Sequence, residues 1–259
     1  MDSALVSIAV PIYNAARFLP AALDSLLAQT HAHWEALLWD DGSGDGSAQI
    51  AADYSARDRR FRLLGDGRNH GTAAALAQAL AQARGSFVGT LDSDDLLEPD
   101  ALQAMLGFLH AQPQLGMAYS HYLEIREDGS PLQLGHRCLK PYSPQRLLLD
   151  FMTFHFRLLR IEAYRAVGGF DPAAVYAEDY DLCLRLSEQF PIAQLPQVLY
   201  RYRLHAGSIS QSRRLHQVQA SFAAAQRALQ RRGLAASHNL SLGLRVRHTL
   251  RPKPTDVTP

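Results

Sequence analysis

Short apolar runs alternate with longer stretches of helical period from Val6 to Leu91, the pattern of a parallel α/β sheet whose strands are buried on both faces. Val6 to Val10 reads as a buried strand, with Phe18, Leu19, Ala22, Leu23, Leu26 and Leu27 at helical spacing behind it. Trp34 to Trp39 predicts a second strand and Ser47 to Ser55 a helix. Phe61 to Leu64 predicts a third strand, the alanine-rich Thr72 to Ala83 a helix, and Phe87 to Leu91 a fourth strand. Pro99 then sits near the start of a helix that runs to His110. After Gln114 the period changes. Met117 to Arg126 and Phe154 to Leu159 read as strands, Glu178 to Phe190 as an amphipathic helix, and Leu199 to Tyr202 as a short strand. The second half is therefore mixed and extends the same sheet. From Arg213 to Arg232 a last helix carries Leu215, Val218, Phe222, Ala225 and Leu229 on one face.

Composition narrows the classes. Apolar residues make up 47% and charged residues 20% of 259, ordinary globular usage that excludes a fibrous repeat and wholesale disorder. Lys plus Arg total 26 against 25 Asp plus Glu, so the net charge of +1 offers no global field to nucleic acid, and no nucleic-acid partner is expected. Cys138 and Cys183 match no metal-site spacing and read as buried thiols of a reducing compartment. No uncharged apolar run approaches the ~20 residues of a membrane span. A secretory leader is not expected either, because Asp2 stands where a basic region belongs and Pro11 and Asn14 interrupt the first apolar stretch. The expected location is cytoplasmic.

Ligands of open parallel sheets bind beyond the carboxyl ends of the strands, and the unusual residues fall there. Strand one ends in Pro11-Ile12-Tyr13-Asn14, strand two in Asp40-Asp41-Gly42-Ser43, and strand four in Asp92-Ser93-Asp94-Asp95. The first two also read as ordinary turns or helix caps. Asp41 to Ala52 imitates a calcium loop, but its twelfth position is Ala52 where a bidentate Glu is needed. Gly65, Gly67 and Gly71 do not have dinucleotide-fingerprint spacing. Three acids within four residues at the end of an apolar strand are hard to justify by packing. Crowded carboxylates call for a cation, and oxygen donors suit Mg²⁺ or Mn²⁺, so the economical reading is a metal holding a diphosphate.

Taken together, the chain resembles family 2 glycosyltransferases of the GT-A fold. The resemblance runs over residues 5 to about 212 through Val10-Pro11-Ile12-Tyr13-Asn14, Asp40-Asp41-Gly42-Ser43, Asn69 with Gly71, Leu91-Asp92-Ser93-Asp94-Asp95, Val167-Gly168-Gly169-Phe170-Asp171, Glu178-Asp179, and Tyr202-Arg203 with His205. It implies a Rossmann-like, mainly parallel mixed sheet flanked by helices, occupying residues 1–212, with a C-terminal helix and basic tail over 213–259. It implies inverting transfer from a nucleoside-diphosphate sugar, UDP favoured, to a hydroxyl acceptor in polysaccharide or glycoconjugate assembly. By resemblance, Pro11 and Tyr13 pack on the base and Asp41 accepts its imide. Asp92 and Asp94 meet the nucleotide, Asp94 and Asp95 hold Mg²⁺ or Mn²⁺ with His205 as a further ligand, and Asp179 is the general base. Phe154, His155, Gly169 and Glu178 fall on the acceptor side, where aromatic and imidazole rings can stack on a sugar.

One departure is visible. Family members often carry an Arg-Asn pair in the helix after Asn-x-Gly, and here those positions are Leu76 and Ala77. Diphosphate charge is then left to the metal, Arg203 or His205. Two rival classes are a sugar nucleotidyltransferase, which needs a basic Gly-rich loop where the chain has Asn14-Ala15-Ala16-Arg17, and a nucleotide-binding module without turnover. Residues 213–259 have two readings: a helix packed on the domain with solvated arginines, or a weak peripheral contact with the inner face of an anionic membrane bearing a lipid-linked acceptor.

Overall fold

β1 (Val6–Ile12) is buried along nearly its whole length because its alternate side chains feed two different cores. Val6, Ile8, Val10 and Ile12 pack with Leu19, Leu23 and Leu26 of α1 (Leu19–Leu27) and Leu102 and Met105 of α4 (Ala101–Ala111). Ala9 faces the other way, into the cluster built by Leu76, Ala79 and Leu80 of α3 (Thr72–Ala81) and Leu182, Leu184 and Leu186 of α7 (Glu178–Gln189). A two-sided core of this kind explains why the strand reads as a continuous apolar run. The structure, a computed structural model, describes residues 4–208 and 213–243.

β2 (Trp34–Asp40), β3 (Phe61–Leu64) and β4 (Phe87–Thr90) lie parallel with β1 in the order β3-β2-β1-β4. β8 (Arg157–Arg160) is inserted antiparallel between β4 and β6 (Met117–Ile125). β9 (Ile192–Arg203) runs parallel to β6 and closes by pairing antiparallel with β5 (Leu96–Leu97), while β7 (Pro131–Leu134) pairs with β6 alone. The second half therefore completes one nine-stranded sheet. α2 (Ser47–Arg57) follows β2 as expected.

Several elements differ from the sequence pattern for physical reasons. β9 begins at Ile192 rather than Leu199, because Gln194, Pro196 and Gln197 interrupt the alternation, and the pairing absorbs the interruption with register shifts about His121. Phe154, His155 and Phe156 precede β8 instead of belonging to it, with a cis peptide bond between His155 and Phe156. α5 (Pro144–Leu147) and α6 (Ile161–Ala166) are too short to show a helical period.

The C-terminal helix, α8 (Arg214–Arg231), buries Ala224, Ala225, Ala228 and Leu229, and Leu215 is left 68% exposed. The apolar stripe is thus rotated and shortened. Small side chains let α8 approach α7 closely, and ion pairs lock the contact: Arg227 donates to Asp181 at 3.1 Å and Arg231 to Glu188 at 2.8 Å. Arg232 donates to the Ser187 hydroxyl at 2.7 Å and the Pro144 carbonyl at 2.6 Å. These three arginines serve packing within the protein. The tail residues Arg245, Arg247, Arg251 and Lys253 lie outside the described residues, and among the described residues no helix is long and apolar enough to cross a membrane.

If the buried alanines carry this contact, Ala228→Leu overpacks it and lowers stability by about 1–3 kcal/mol. Leu215→Ala leaves the thermal midpoint unchanged. Melting curves of the two variants check the assignment, and a larger loss at Leu215 would overturn it.

Candidate functional site

The loop after β1 is held by side chains from the loop after β2. The amides of Asn14, Ala15 and Ala16 donate to Ser43 Oγ at 3.0 Å, Ser47 Oγ at 2.9 Å and Asp45 Oδ2 at 3.0 Å, and Asn14 Oδ1 accepts from the Gly44 amide at 2.8 Å. Asn14 is thereby kept at a positive φ of 49°. Beside this rigid turn Pro11 is half-buried, while Tyr13 is 54% exposed and has no partner ring among the described residues. Asp41 is buried, and its two oxygens accept the amides of His70 at 2.8 Å and Gly71 at 2.9 Å. It anchors the turn that carries Asn69. Gly42 is obligatory: its φ is +78°, and a Cβ there would stand 3.0 Å from the backbone of Arg68 and Asn69. Leu76 is buried in the core and Ala77 packs against it, so α3 presents no polar group from those positions.

The three acids after β4 have three different surroundings. Asp95 has no exposure; its Oδ1 accepts the Arg203 amide at 2.7 Å and its Oδ2 the Tyr200 hydroxyl at 2.8 Å. Expected among the metal ligands, it also anchors the end of β9 to this turn. Asp94 is partly exposed and lies with Oδ2 2.7 Å from His205 Nε2, so an oxygen and a nitrogen donor from distant segments converge. Asp92 is partly exposed, with Oδ2 3.4 Å from His155 Nε2. Asp92, Asp95 and His155 also bring one ligand atom each within 4.8 Å of one another. Burial, then Asp94 and Asp179, raises the proton affinity of Asp92; burial, then Asp94 and Asp92, raises that of Asp95. An edge so short of positive charge fits a divalent cation.

Arg203, expected near the diphosphate, is enclosed: its Nε donates to the Asp94 carbonyl at 2.8 Å and a terminal nitrogen to the Glu127 carbonyl at 2.9 Å. The guanidinium spends its donors on backbone and stitches the acidic turn to the β6–β7 hairpin. His205 packs its ring 4.9 Å from Phe18.

Glu178 and Asp179 open α7. Arg157 donates to Asp179 Oδ2 at 2.6 Å and to the Thr153 carbonyl at 3.2 Å, and it is buried. Among the described residues Glu178 receives no such contact and its buried Oε2 has no hydrogen bond; burial, then Asp179, pushes its pKa up to about 7. On the expected acceptor side, His155 is 3% exposed and stacked on Tyr200 at 4.5 Å, so its ring faces hold protein and not a sugar. Burial, then Arg157 and Arg137, keeps it neutral by lowering its pKa. Phe154 is half-buried among Tyr122, Phe151 and Tyr202. Gly169, at φ +68°, makes room for the Tyr164 ring, which a Cβ would meet at 2.8 Å. Sequence reasoning missed Arg157 and Tyr200. An arginine in the apolar run Phe156-Arg157-Leu158-Leu159 was the available signal, since a buried charge requires a partner.

A family model described as glycosyl transferase family 2 matches residues 7–168. The chain is 32% identical over 206 residues to a chondroitin synthase of Escherichia coli, covering 80% of this chain and 30% of that protein, so it spans about a third of that relative's length. Among solved structures it resembles S. aureus TarS 1–349 in complex with UDP-GlcNAc, with a TM-score of 0.67 at 21% identity over 80% of this chain and 60% of that one. It also resembles a mannosyltransferase from Pyrobaculum calidifontis in complex with GDP-Man and Mn²⁺, with a TM-score of 0.64 at 20% identity over 91% and 76% of the two chains. These likenesses establish the fold as the GT-A arrangement.

The raised Glu178 gives a pH dependence with a definite sign. Between its ordinary pKa of 4.5 and its folded value of about 7, the folded protein holds a proton that the unfolded chain has lost, so stability falls as pH rises through that window. Glu178→Gln removes this contribution. In metal-free buffer the variant melts above the parent at about pH 8 and with it at about pH 4; a constant difference across the range would refute the assignment.

Proposed function

The chain belongs to glycosyl transferase family 2, and on that premise we propose that it is an inverting glycosyltransferase that uses a nucleoside-diphosphate sugar, UDP favoured, to build a polysaccharide or related glycoconjugate. The observation that carries the reading is convergence at one sheet edge: exposed Tyr13, the Asp94–His205 pair and the Arg157-bound Asp179. A sugar nucleotidyltransferase is not favoured, because the strand-one loop has its amides tied to side chains and carries no basic glycine-rich turn.

In this reading Tyr13 and Pro11 offer the stacking surface for the base, and Asp41, through the turn it fixes, lines the base edge. Asp92 meets the ribose side. Asp94, Asp95 and His205 would hold Mg²⁺ or Mn²⁺, which when bound supplies Lewis-acid stabilisation to the diphosphate. Asp95 orients these groups by fastening β9 to their turn. Asp179 takes the proton from the acceptor hydroxyl as that oxygen attacks the anomeric carbon. The new C–O bond forms on one face while the bond to the diphosphate breaks on the other and its electron pair leaves with phosphate, giving inversion without a covalent enzyme intermediate. With Leu76 in the core and Arg203 enclosed, charge compensation at the diphosphate rests on the cation and on His205. The acceptor is a hydroxyl-bearing sugar, free or lipid-linked, and the donor's chemistry fits a cytoplasmic enzyme. Within the division at residue 212, α8 acts as a buttress of α7, the helix that carries Asp179.

A panel of UDP- and GDP-sugars, assayed for donor turnover with and without Mn²⁺, tests the reading: one donor is consumed only with the cation, and turnover of none would sink it. Asp94→Asn abolishes the Mn²⁺-dependent thermal shift given by UDP while the protein stays folded; an undiminished shift removes Asp94 from the metal site. Asp179→Asn keeps donor affinity and slows turnover by ~10² to 10⁴. Near-parental single-turnover rates would transfer the base to another group.

A further inference from the structure

Two neighbouring carboxyl groups face the acidic edge from the start of α7, yet the transfer proposed above needs one base. Their surroundings are unequal. Arg157 is the first residue of β8, and its guanidinium lies under α7. One terminal nitrogen donates to Asp179 Oδ2 at 2.6 Å and the other to the Thr153 carbonyl at 3.2 Å. Its central carbon stands 5.9 Å from the Phe151 ring. Glu178, one residue earlier, has no hydrogen bond at its buried Oε2 among the described residues.

We infer that Arg157 is a positioning residue that designates Asp179, and not Glu178, as the base, by gripping Oδ2 and leaving Oδ1 for the acceptor proton. The inference deepens the proposed function and rests on the reading of Asp179 given there. Asp92 from the acidic turn, Glu178 and Cys183 from α7, and Arg157 from β8 are the charged and titratable groups that act on Asp179. Three of them are acids or a thiol, and Arg157 is the cation among them. Without it the two α7 carboxyls and Asp92 would share a site with no opposing charge, and nothing would hold one α7 carboxyl in place over the other. A guanidinium suits the task because it stays charged when buried and its planar fork serves Asp179 and a backbone carbonyl together; a lysine ammonium matches neither geometry.

A purely structural ion pair would be just as buried, so the test must separate the two roles. Arg157→Met, Arg157→Lys, Asp179→Asn, Glu178→Gln and the double variant Arg157→Met with Asp179→Asn are compared in steady-state turnover of the UDP-sugar selected by the panel, with Mn²⁺ and with UDP affinity and melting as controls. Positioning predicts that Arg157→Met loses about 10²-fold in kcat, with donor KM and UDP affinity within about twofold of the parent. Arg157→Lys is intermediate, and in a further variant, Arg157→Ala, free guanidinium restores part of the rate. On the Asp179→Asn background, Arg157→Met costs less than about threefold more, because the group it positions is already gone. Should Arg157→Met fail to fold, Arg157→Lys, which keeps the buried charge, carries the same comparison on both backgrounds. A full additional loss on the Asp179→Asn background, or a defect confined to donor KM or UDP affinity, overturns the inference. Parental turnover by Asp179→Asn alone locates the failure in the reading of the base itself, and loss confined to Glu178→Gln shows that the designation runs the other way.

Discussion

The buried carboxylate of Asp95 is the constraint on which the site depends. It accepts the Arg203 amide and the Tyr200 hydroxyl across separations of 108 and 105 residues, and so fastens the end of β9 to the turn after β4. Several placements follow from that one knot. Tyr200, fixed through its hydroxyl, also accepts the Asp92 amide at 3.3 Å and supports the His155 ring. The chain leaving β9 then delivers His205 to Asp94, while Arg203 reaches back over the Asp94 and Glu127 carbonyls. A buried acid with both oxygens satisfied is tolerable, but one deprived of its donors bears the full desolvation penalty. The knot therefore holds the late half of the sheet in register with the early half at the acidic turn.

Much of this was legible in residue order. The β1 to β4 units showed because each strand is an uninterrupted apolar run and each helix has several turns of period. The acidic turn showed because no packing argument accommodates Asp92, Asp94 and Asp95 together. What escaped was direction. An aspartate at a strand end reads the same whether it stands partly exposed beside an imidazole, as Asp94 does, or buried against an amide, as Asp95 does, because the partners come from more than a hundred residues away. Arg203 read as a free cation for the same reason. His155 read as a sugar platform because nothing local announced Tyr200 behind it. In α8 the large residues suggested a stripe through Leu215, whereas close approach to α7 selected Ala224, Ala225 and Ala228. Shape decided there, and hydropathy alone does not report shape.

The two neighbouring acids of α7 illustrate the same contrast on the scale of one residue. Glu178 and Asp179 are interchangeable in composition and nearly so in position, but only Asp179 lies over the buried guanidinium. The contrast between the two acids is set by the strand beneath them: β8, antiparallel to β4, brings its arginine to the start of α7.

The tied loop after β1 has a thermodynamic consequence. Glycine-rich phosphate loops bind anions through free backbone amides, but here the amides of residues 14 to 16 are already occupied by Ser43, Ser47 and Asp45. The loop therefore has no amides of residues 14 to 16 left to cradle a phosphate. On the proposed reading, the diphosphate and the divalent cation must then serve as each other's ligand, and linkage requires that each strengthen the other by the same factor. Occupancy by donor becomes a function of free cation as much as of free nucleotide sugar, and release of the spent nucleotide is the step at which the cation's hold is also relaxed.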